Sequence, residues 1–187
     1  GTSSVTTFVP WYVMHKLLSG ILDCYVYGDN DTALAVAGKL GDWIHGRVSG
    51  WDENRRRSVL GTEYGGMNEA MARLHQLTGD KRFLECARLF DNISLFFGDA
   101  EHHHGLACNV DTIRGKHANQ HIPQITGALE TYRGTHDPAY YRISENFWDR
   151  CTHSYMYSIG GVAGARNPKN PECFVAEPDT LFENGFS

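Results

Sequence analysis

A Gly-Gly turn within residues 61–74 gathers side chains that could bind a polyhydroxylated ligand. Glu63 and Tyr64 precede the two glycines, and Asn68 and Glu69 follow them in the first turn of a predicted helix. A carboxylate in that turn also suits the helix dipole. The alternative is an ordinary capped helix start in which the glycines only make the turn.

Two further polar clusters stand at similar places in the chain. His15 lies in the first turns of a predicted helix, and His117 and His121 open another in the run His-Ala-Asn-Gln-His-Ile-Pro-Gln. Each cluster precedes or opens the first helix of a predicted hairpin, so the three together predict a shared rim. Taken singly, each histidine could equally be a helix-start residue bonded to the backbone.

The C-terminal part presents a carboxylate in a Gly-rich stretch. Glu172 lies between a proline and Cys173, with an aromatic residue next. A carboxylic acid held in such surroundings can have a raised pKa and act as a general acid. Alternatively, Glu172, Glu177 and Glu183 are ordinary loop carboxylates. The residues 102–104 are three histidines, which could bind a metal but fit solvated loop residues better.

Helical periodicity accounts for the elements that must position these groups. Apolar residues at helical spacing predict helices over 11–27, 32–48, 81–97, 120–132 and 139–155, and residues 70–77 continue the helix that begins at the Gly-Gly turn. Asp31 and Asp137 are predicted N-caps, and Pro123 is placed in the first turn of its helix. The segments 49–62 and 98–116 are predicted loops, and the chain from Ser158 onward is predicted to be irregular.

The six helices form three similar pairs, each joined by a tight polar turn. The turns include Gly28, Gly79 and Gly134, a period of roughly 50 to 57 residues that is typical of arrays of helical hairpins. Strand signals are almost absent, so the predicted fold class is all-α. The long loops fall between hairpins, and in a ring of hairpins they would gather at one end, where a site should lie.

Composition excludes several classes of function. The net charge is −5 with no basic stripe, which argues against nucleic acid as a partner, and no apolar run is long enough to cross a membrane. Nor does any segment resemble a signal peptide. None of the five cysteines makes a Cys-x-x-Cys pair, and three of them, Cys24, Cys86 and Cys151, are predicted to be buried thiols.

These motifs together resemble the beta-L-arabinofuranosidase superfamily, glycoside hydrolase families 127 and 146 and their uncharacterised relatives. The resemblance spans residues 8–187. Its matching runs are Val-Pro-Trp-Tyr with His15-Lys16, Glu-Tyr-Gly-Gly-Met-Asn-Glu at 63–69, Leu-Thr-Gly-Asp at 77–80, the His117–Gln124 run, Phe147-Trp148, and Gly160-Gly161 followed by Glu172-Cys173-Phe174.

The resemblance implies an (α/α) toroid, of the six-hairpin glycosidase type, that hydrolyses beta-L-arabinofuranosides of plant-type glycans with retention. Family members use a zinc-bound cysteine thiolate as nucleophile and a glutamate as acid/base. By motif, Glu172 corresponds to the acid/base. The substrate-binding positions correspond to His15, Glu63, Asn68, Glu69, His117 and His121. Some relatives carry histidine where this chain has Met67.

The zinc-binding motifs of the family lie beyond the equivalent of Ser187, so no residue of this chain is assigned as a metal ligand. We therefore expect residues 1–187 to be a partial toroid, with Glu172 in the loop-rich segment 158–187. This partial toroid should be inactive by itself and open at an apolar edge that invites association. Two alternatives remain: a sugar epimerase or lyase on the same toroid, and a non-catalytic carbohydrate-binding module of helical repeats. The sequence indicates no cellular compartment.

Overall fold

The fold is all-α and toroid-like, built from helical hairpins, which confirms the predicted fold class. A computed structural model describes residues 9–62, 65–99, 103–162, 164 and 172–175. Within them the helices are α1 (Pro10–Val26), α2 (Asp31–Val48), α3 (Glu53–Thr62), α4 (Met67–Thr78), α5 (Lys81–Leu89), α6 (Ile93–Phe96), α7 (Ala118–Thr135) and α8 (Pro138–Arg150). A 3₁₀ turn spans Leu106–Cys108, and a π-helical turn at Cys151–Tyr155 continues α8. No helix of the described part is long and apolar enough to cross a membrane.

Local capping explains where most helices begin. Asp80 and Asp137 cap α5 and α8, and the side chain of Asp137 accepts a hydrogen bond from Ala139 N at 3.0 Å. The cap of α2 is Asn30, which accepts from Ala33 N, and the predicted cap Asp31 is instead the first helical residue. The prediction was wrong by one residue because both side chains can cap.

Three other boundaries differ from the sequence prediction. The predicted loop 49–62 contains α3. This helix has no apolar stripe, and it is supported by ion pairs from Glu53 to Arg56 and Arg57 one turn later. The predicted helix 81–97 ends at Leu89, because the chain turns through a buried Asp91 before α6. Pro123 lies in the second turn of α7, since that helix begins at Ala118.

The helices α1, α4 and α7 lie side by side, with α4 in the middle. Gly65, just before α4, lies beside Tyr12 of α1 and Gln120 of α7, so the N-terminal ends of these three helices meet at one end of the array. The core has two clusters. One lies among α1, α2, α4 and α5, and the other packs α6, α7 and α8 around Phe174.

Candidate functional site

The first polar cluster is a network of hydrogen bonds and ion pairs between α1 and α4. Nε2 of His15 lies 2.8 Å from Oε2 of Glu69, and Ser19 Oγ donates to the same oxygen at 2.9 Å. Arg73 bridges Glu69 to Asp23, with Nη1–Oε1 and Nη2–Oδ1 distances of 3.1 and 2.5 Å. The structure thus brings the predicted residues His15 and Glu69 together, and both are buried.

Glu69 is held as a carboxylate despite its burial. Desolvation acts to raise its pKa, but the hydrogen bonds from His15 and Ser19 and the charge of Arg73 outweigh it, so the pKa lies below its ordinary value. Because a carboxylate can only accept, Nε2 of His15 must carry the proton that lies between the two groups.

Gly66 makes room for the His15 ring. It is the residue before α4, at φ +73°, and a Cβ built on it would lie 2.0–2.5 Å from three atoms of the imidazole. The other ring nitrogen, Nδ1, is buried and has no hydrogen-bond partner in the described part of the chain. The glycine pair predicted as a turn therefore also serves to admit a side chain from the neighbouring helix.

Asn68 is enclosed between α4 and α7 and is fully buried. Its Nδ2 donates to the Gln124 carbonyl at 3.0 Å and to Asp91 Oδ1 at 3.2 Å, while its Oδ1 accepts from Glu69 N. Gly127 of α7 packs so closely on this amide that any side chain there would collide with it. These contacts fasten α4 to α7, and a sugar contact by Asn68 stays a prediction.

Asp91 is a buried carboxyl that the sequence analysis missed. Burial, opposed by hydrogen bonds from Tyr140 and Asn68, raises its pKa to about 7. The Tyr140 hydroxyl donates to Oδ2 at 2.5 Å, and burial beside this carboxyl raises the pKa of the phenol in turn. One feature of the sequence could have indicated this buried carboxyl. A charged residue follows Phe90 directly, inside an apolar helical pattern in which a solvent-exposed position is not expected.

The second cluster lies at the start of α7. His117 is the residue preceding this helix, and its Nε2 lies 3.5 Å from Oε2 of Glu172. The Glu172 side chain is 60% exposed, so it does not have the apolar surroundings that the sequence suggested. Both predicted residues are accessible to a ligand, unlike His15, Asn68 and Glu69, which are buried.

His121 lies one turn further along α7 and is 2% exposed. Its Nδ1 lies 3.0 Å from the His117 carbonyl, so that nitrogen carries the hydrogen. Burial lowers the pKa of His121 to about 4, and the imidazole is therefore neutral near pH 7.

A cleft of about 890 Å³ opens beside this cluster. Its walls are α3, the segment 91–99, Lys116 just before α7, and His121 in α7. The volume is within the range of small-molecule sites. Together with apolar surface, its lining includes side chains that can hydrogen-bond to a polyhydroxylated ligand: Glu53, Arg56, Arg57, Asp91, Asn92, Ser94, Asp99, Lys116 and His121. Of the predicted site residues in the described ranges, His121 lines this cleft.

The predicted residue Glu63, with its neighbour Tyr64, lies outside the described residues, as do His102, Glu177 and Glu183. His103 and His104 are exposed, and both lie near Asp99 Oδ2, at 3.4 and 3.9 Å. No group of three or more His, Cys, Asp or Glu side chains in the described ranges could hold a metal ion.

The cysteines are in the free thiol form, and one prediction about them was wrong. Cys24 is exposed because it lies on the outer side of α1, whereas Cys86 and Cys151 are buried as predicted. Burial raises the pKa of Cys86 to about 12 and that of Cys151 to about 11, so both are protonated and unreactive at neutral pH. Cys173 is also buried.

The chain was compared with models of known protein families. The family model described as "Beta-L-arabinofuranosidase, GH127 catalytic domain" matches residues 2–181. No curated protein matches the chain.

Proposed function

We propose a function on the basis of family membership. The chain belongs to the family of the beta-L-arabinofuranosidase GH127 catalytic domain. Membership in this family supports the general activity of a glycoside hydrolase. We infer further that the full-length protein removes beta-L-arabinofuranosyl groups from plant-type glycans with retention of configuration. The observation that carries this proposal is the family match over almost the whole chain.

Glu172 is the proposed acid/base, because its carboxyl is exposed and lies at the end of the array where α1, α4 and α7 begin. A protonated Glu172 would donate to the leaving glycosidic oxygen, and its carboxylate would later take a proton from the attacking water. The cleft beside this cluster, which Lys116 and His121 help to line, offers hydrogen-bond donors and acceptors for the rest of the glycan.

Family membership also implies a zinc-bound cysteine nucleophile, and the described residues do not fit such a centre. None of their carboxylate, imidazole and thiol groups come together in threes to hold an ion, and Cys86 and Cys151 are protonated. We expect the 187-residue chain by itself to lack turnover.

The test is a comparison of Glu172→Gln with the parent full-length protein on two beta-L-arabinofuranosides, one with a nitrophenol and one with an alcohol leaving group. Loss of the general acid should lower kcat/KM by about 10²–10⁴-fold for the alcohol and much less for the nitrophenol, which leaves without protonation, whereas kcat should fall for both because they share the base-assisted attack of water. Glu85→Gln, on the exposed face of α5, is the matched control and should behave like the parent.

Full activity of Glu172→Gln on the alcohol substrate would rule out the acid/base role. Analysis of the products separates the other functions. Hydrolysis releases a free sugar, a lyase leaves an unsaturated product, and an epimerase leaves the glycosidic bond intact. Binding without any product from the parent protein would support a carbohydrate-binding module instead.

A further inference from the structure

Two arginines of α3 line one wall of the cleft and share a single carboxylate. Nη2 of Arg56 lies 2.6 Å from Oε2 of Glu53, and Nε of Arg57 lies 2.8 Å from Oε1. The hydrogen bond from Arg57, together with that from Arg56, holds the pKa of Glu53 below its ordinary value, so this group stays ionised. Two guanidinium groups against one carboxylate leave a net positive charge on this wall. Each guanidinium has five N–H groups, so each keeps donors that Glu53 does not use.

Lys116 brings a third cationic side chain to the cleft from the segment just before α7. Its backbone is fixed, because Lys116 N donates to the Ile113 carbonyl at 2.9 Å and its own carbonyl accepts from Phe174 N at 2.9 Å. Its ammonium forms no ion pair within the part of the chain that the structure describes. The charge lies near the buried His121 ring and, in addition to burial, lowers the pKa of that imidazole. The cleft therefore has an ammonium group that no described carboxylate neutralises.

The other two carboxyl groups of the described lining are engaged by donors of the protein. Asp91 accepts hydrogen bonds from Asn68 and Tyr140, and burial raises its pKa to about 7, so it is mostly neutral at pH 6. Asp99 accepts from His103 N at 2.9 Å, and its second oxygen lies 3.4 Å from Nδ1 of the same histidine. The described lining thus favours an anionic group, although the chain as a whole carries a net charge of −5.

The dimensions of the cleft indicate that the anionic group belongs to a larger molecule. A volume of about 890 Å³ far exceeds that of a small inorganic anion and suits a ligand of a few sugar units. Asn92 and Ser94 add neutral polar groups to the lining, which can bind hydroxyl groups. Guanidinium and ammonium groups form their strongest hydrogen bonds with carboxylates and phosphates.

We propose that the cleft binds an acidic glycan, in which Lys116, Arg56 and Arg57 bind the carboxylate of a uronic acid unit. This inference rests on the proposed function for the identity of the ligand as a glycan. It adds the class of glycan: the arabinofuranosyl group would be removed from a chain that also contains sugar acids. The cations would act on binding of that chain and not on cleavage of the glycosidic bond.

The test is an NMR titration of the isotope-labelled 187-residue chain at pH 6 with digalacturonate and with its methyl ester, which has the same sugars without the charges. The acid should bind at least about 10-fold more tightly than the ester, because charge-assisted hydrogen bonds are the stronger ones. Equal affinities, or no binding of either compound, would overturn the proposal.

The first variant is Lys116→Gln. It should weaken binding of the acid by about 3- to 10-fold, a modest change because an exposed ammonium is screened, and it should leave binding of the ester unchanged. Lys81→Gln is the matched control, since it removes an exposed ammonium at the start of α5, outside the cleft lining. Equal losses in these two variants would show that Lys116 has no special role and would overturn the proposal.

A second variant has the opposite expected sign and so guards against damage to the fold. Glu53→Gln removes the carboxylate that competes with the ligand for Arg56 and Arg57, and binding of the acid should tighten by about 3-fold. A misfolded variant could only lose affinity. Unchanged or weaker binding of the acid by folded Glu53→Gln would overturn the role of the two arginines.

Inorganic phosphate distinguishes a sugar acid from a small anion as the ligand. Digalacturonate should bind at least about 10-fold more tightly than phosphate, because only the sugar acid also places hydroxyl groups against the neutral lining. Phosphate that binds the same residues as tightly as digalacturonate would show a general anion site and overturn the proposal.

Kinetics of the full-length protein separate this inference from the proposed function. If both hold, Lys116→Gln raises KM for an arabinosylated galacturonide with a much smaller effect on kcat, because it removes binding that substrate and transition state share. If no arabinose is released but the chain still prefers the acid to its ester, the proposed function fails and the acidic ligand stands. If arabinose is released from acidic and neutral glycans with equal kcat/KM, the proposed function stands and the acidic ligand fails.

Discussion

At the scale of single residues, buried polar contacts determine how the helices pack, and they are made by residues that were predicted to contact a sugar. His15, Asn68 and Glu69 were predicted as rim residues from their position in a motif, and the structure shows them buried and bonded to other side chains. Desolvating polar groups costs free energy unless their hydrogen bonds are satisfied. These residues therefore fix how α1, α4 and α7 sit together, whatever else they bind.

Replacing Gly66 by alanine should destabilise the protein more than the same change at Gly79. Both glycines flank α4 with nearly equal φ, +73° and +72°, so each alanine costs about 1–2 kcal/mol in backbone strain. Only at Gly66 would the new methyl collide with the His15 ring, which Glu69 prevents from turning away. We expect about 1–3 kcal/mol of additional loss. Urea unfolding midpoints of the two variants test this, and equal losses would refute the contact.

Replacing Asp91 by asparagine should remove a pH dependence of stability. The pKa of Asp91 is raised to about 7 by burial, whereas in the unfolded chain it lies near the ordinary value of about 4. The folded protein therefore holds a proton on Asp91 that the unfolded chain releases, and the contribution of Asp91 to stability falls as pH rises from about 4 to about 7. In Asp91→Asn this decline should be absent.

The measurement is the free energy of unfolding at several pH values between 4.5 and 7.5. His121, whose pKa is lowered to about 4, contributes the opposite slope over this window, and Glu69, whose pKa is also lowered, loses its stabilising contribution toward the acid end. Both contributions are common to the parent and the variant, so the difference between the two curves isolates Asp91. Parallel curves for the parent and Asp91→Asn would show that the buried carboxyl does not titrate in this range.

At the scale of helices, the ends are determined by capping side chains, and the sequence offers two candidates for α2. Asn30→Ala should cost about 1 kcal/mol, because its side chain accepts from Ala33 N. Asp31→Ala should cost about 0.3 kcal/mol, since Asp31 contributes only its charge near the helix start. Thermal unfolding in 0.5 M salt, which screens the second effect, distinguishes them. A larger loss from Asp31→Ala would place the cap at Asp31 instead.

At the scale of the whole molecule, exposed apolar side chains are unevenly distributed. Large exposed hydrophobic residues occur on α1, α2, α7 and α8, and within the described residues none occurs on the central helices α4 and α5. They include Val13, Leu17, Val36, Trp43, Ile122, Leu129, Tyr141 and Trp148. Apolar surface of this kind favours association when it is contiguous.

We expect the double variant Leu17→Lys, Trp148→Lys to associate less than the parent chain. Both side chains are more than half exposed, at 51% and 66%, so their replacement should leave folding stability nearly unchanged. Sedimentation velocity over a range of concentrations measures the association. Glu85→Lys on α5 is the control for added positive charge. Association of the double variant equal to that of this control would show that the outer hairpins are not responsible.

Local sequence determined the parts of the structure that depend on near neighbours. Apolar periodicity and turn residues gave the helical hairpins, and Asp137 with Pro138 gave the start of α8. The motifs also located the residues that meet at one end of the array. The helix α3 escaped prediction because i to i+4 ion pairs support it in place of an apolar stripe.

Tertiary structure alone decided what each polar residue does. Asp91, Tyr140 and Asn68 are far apart in the chain, and their hydrogen bonds exist only because α4, α7 and α8 pack together. The same holds for His117 and Glu172, which backbone contacts of residues 172–174 bring to 3.5 Å. Burial and charge pairing set protonation states, and both depend on neighbours that local sequence cannot specify.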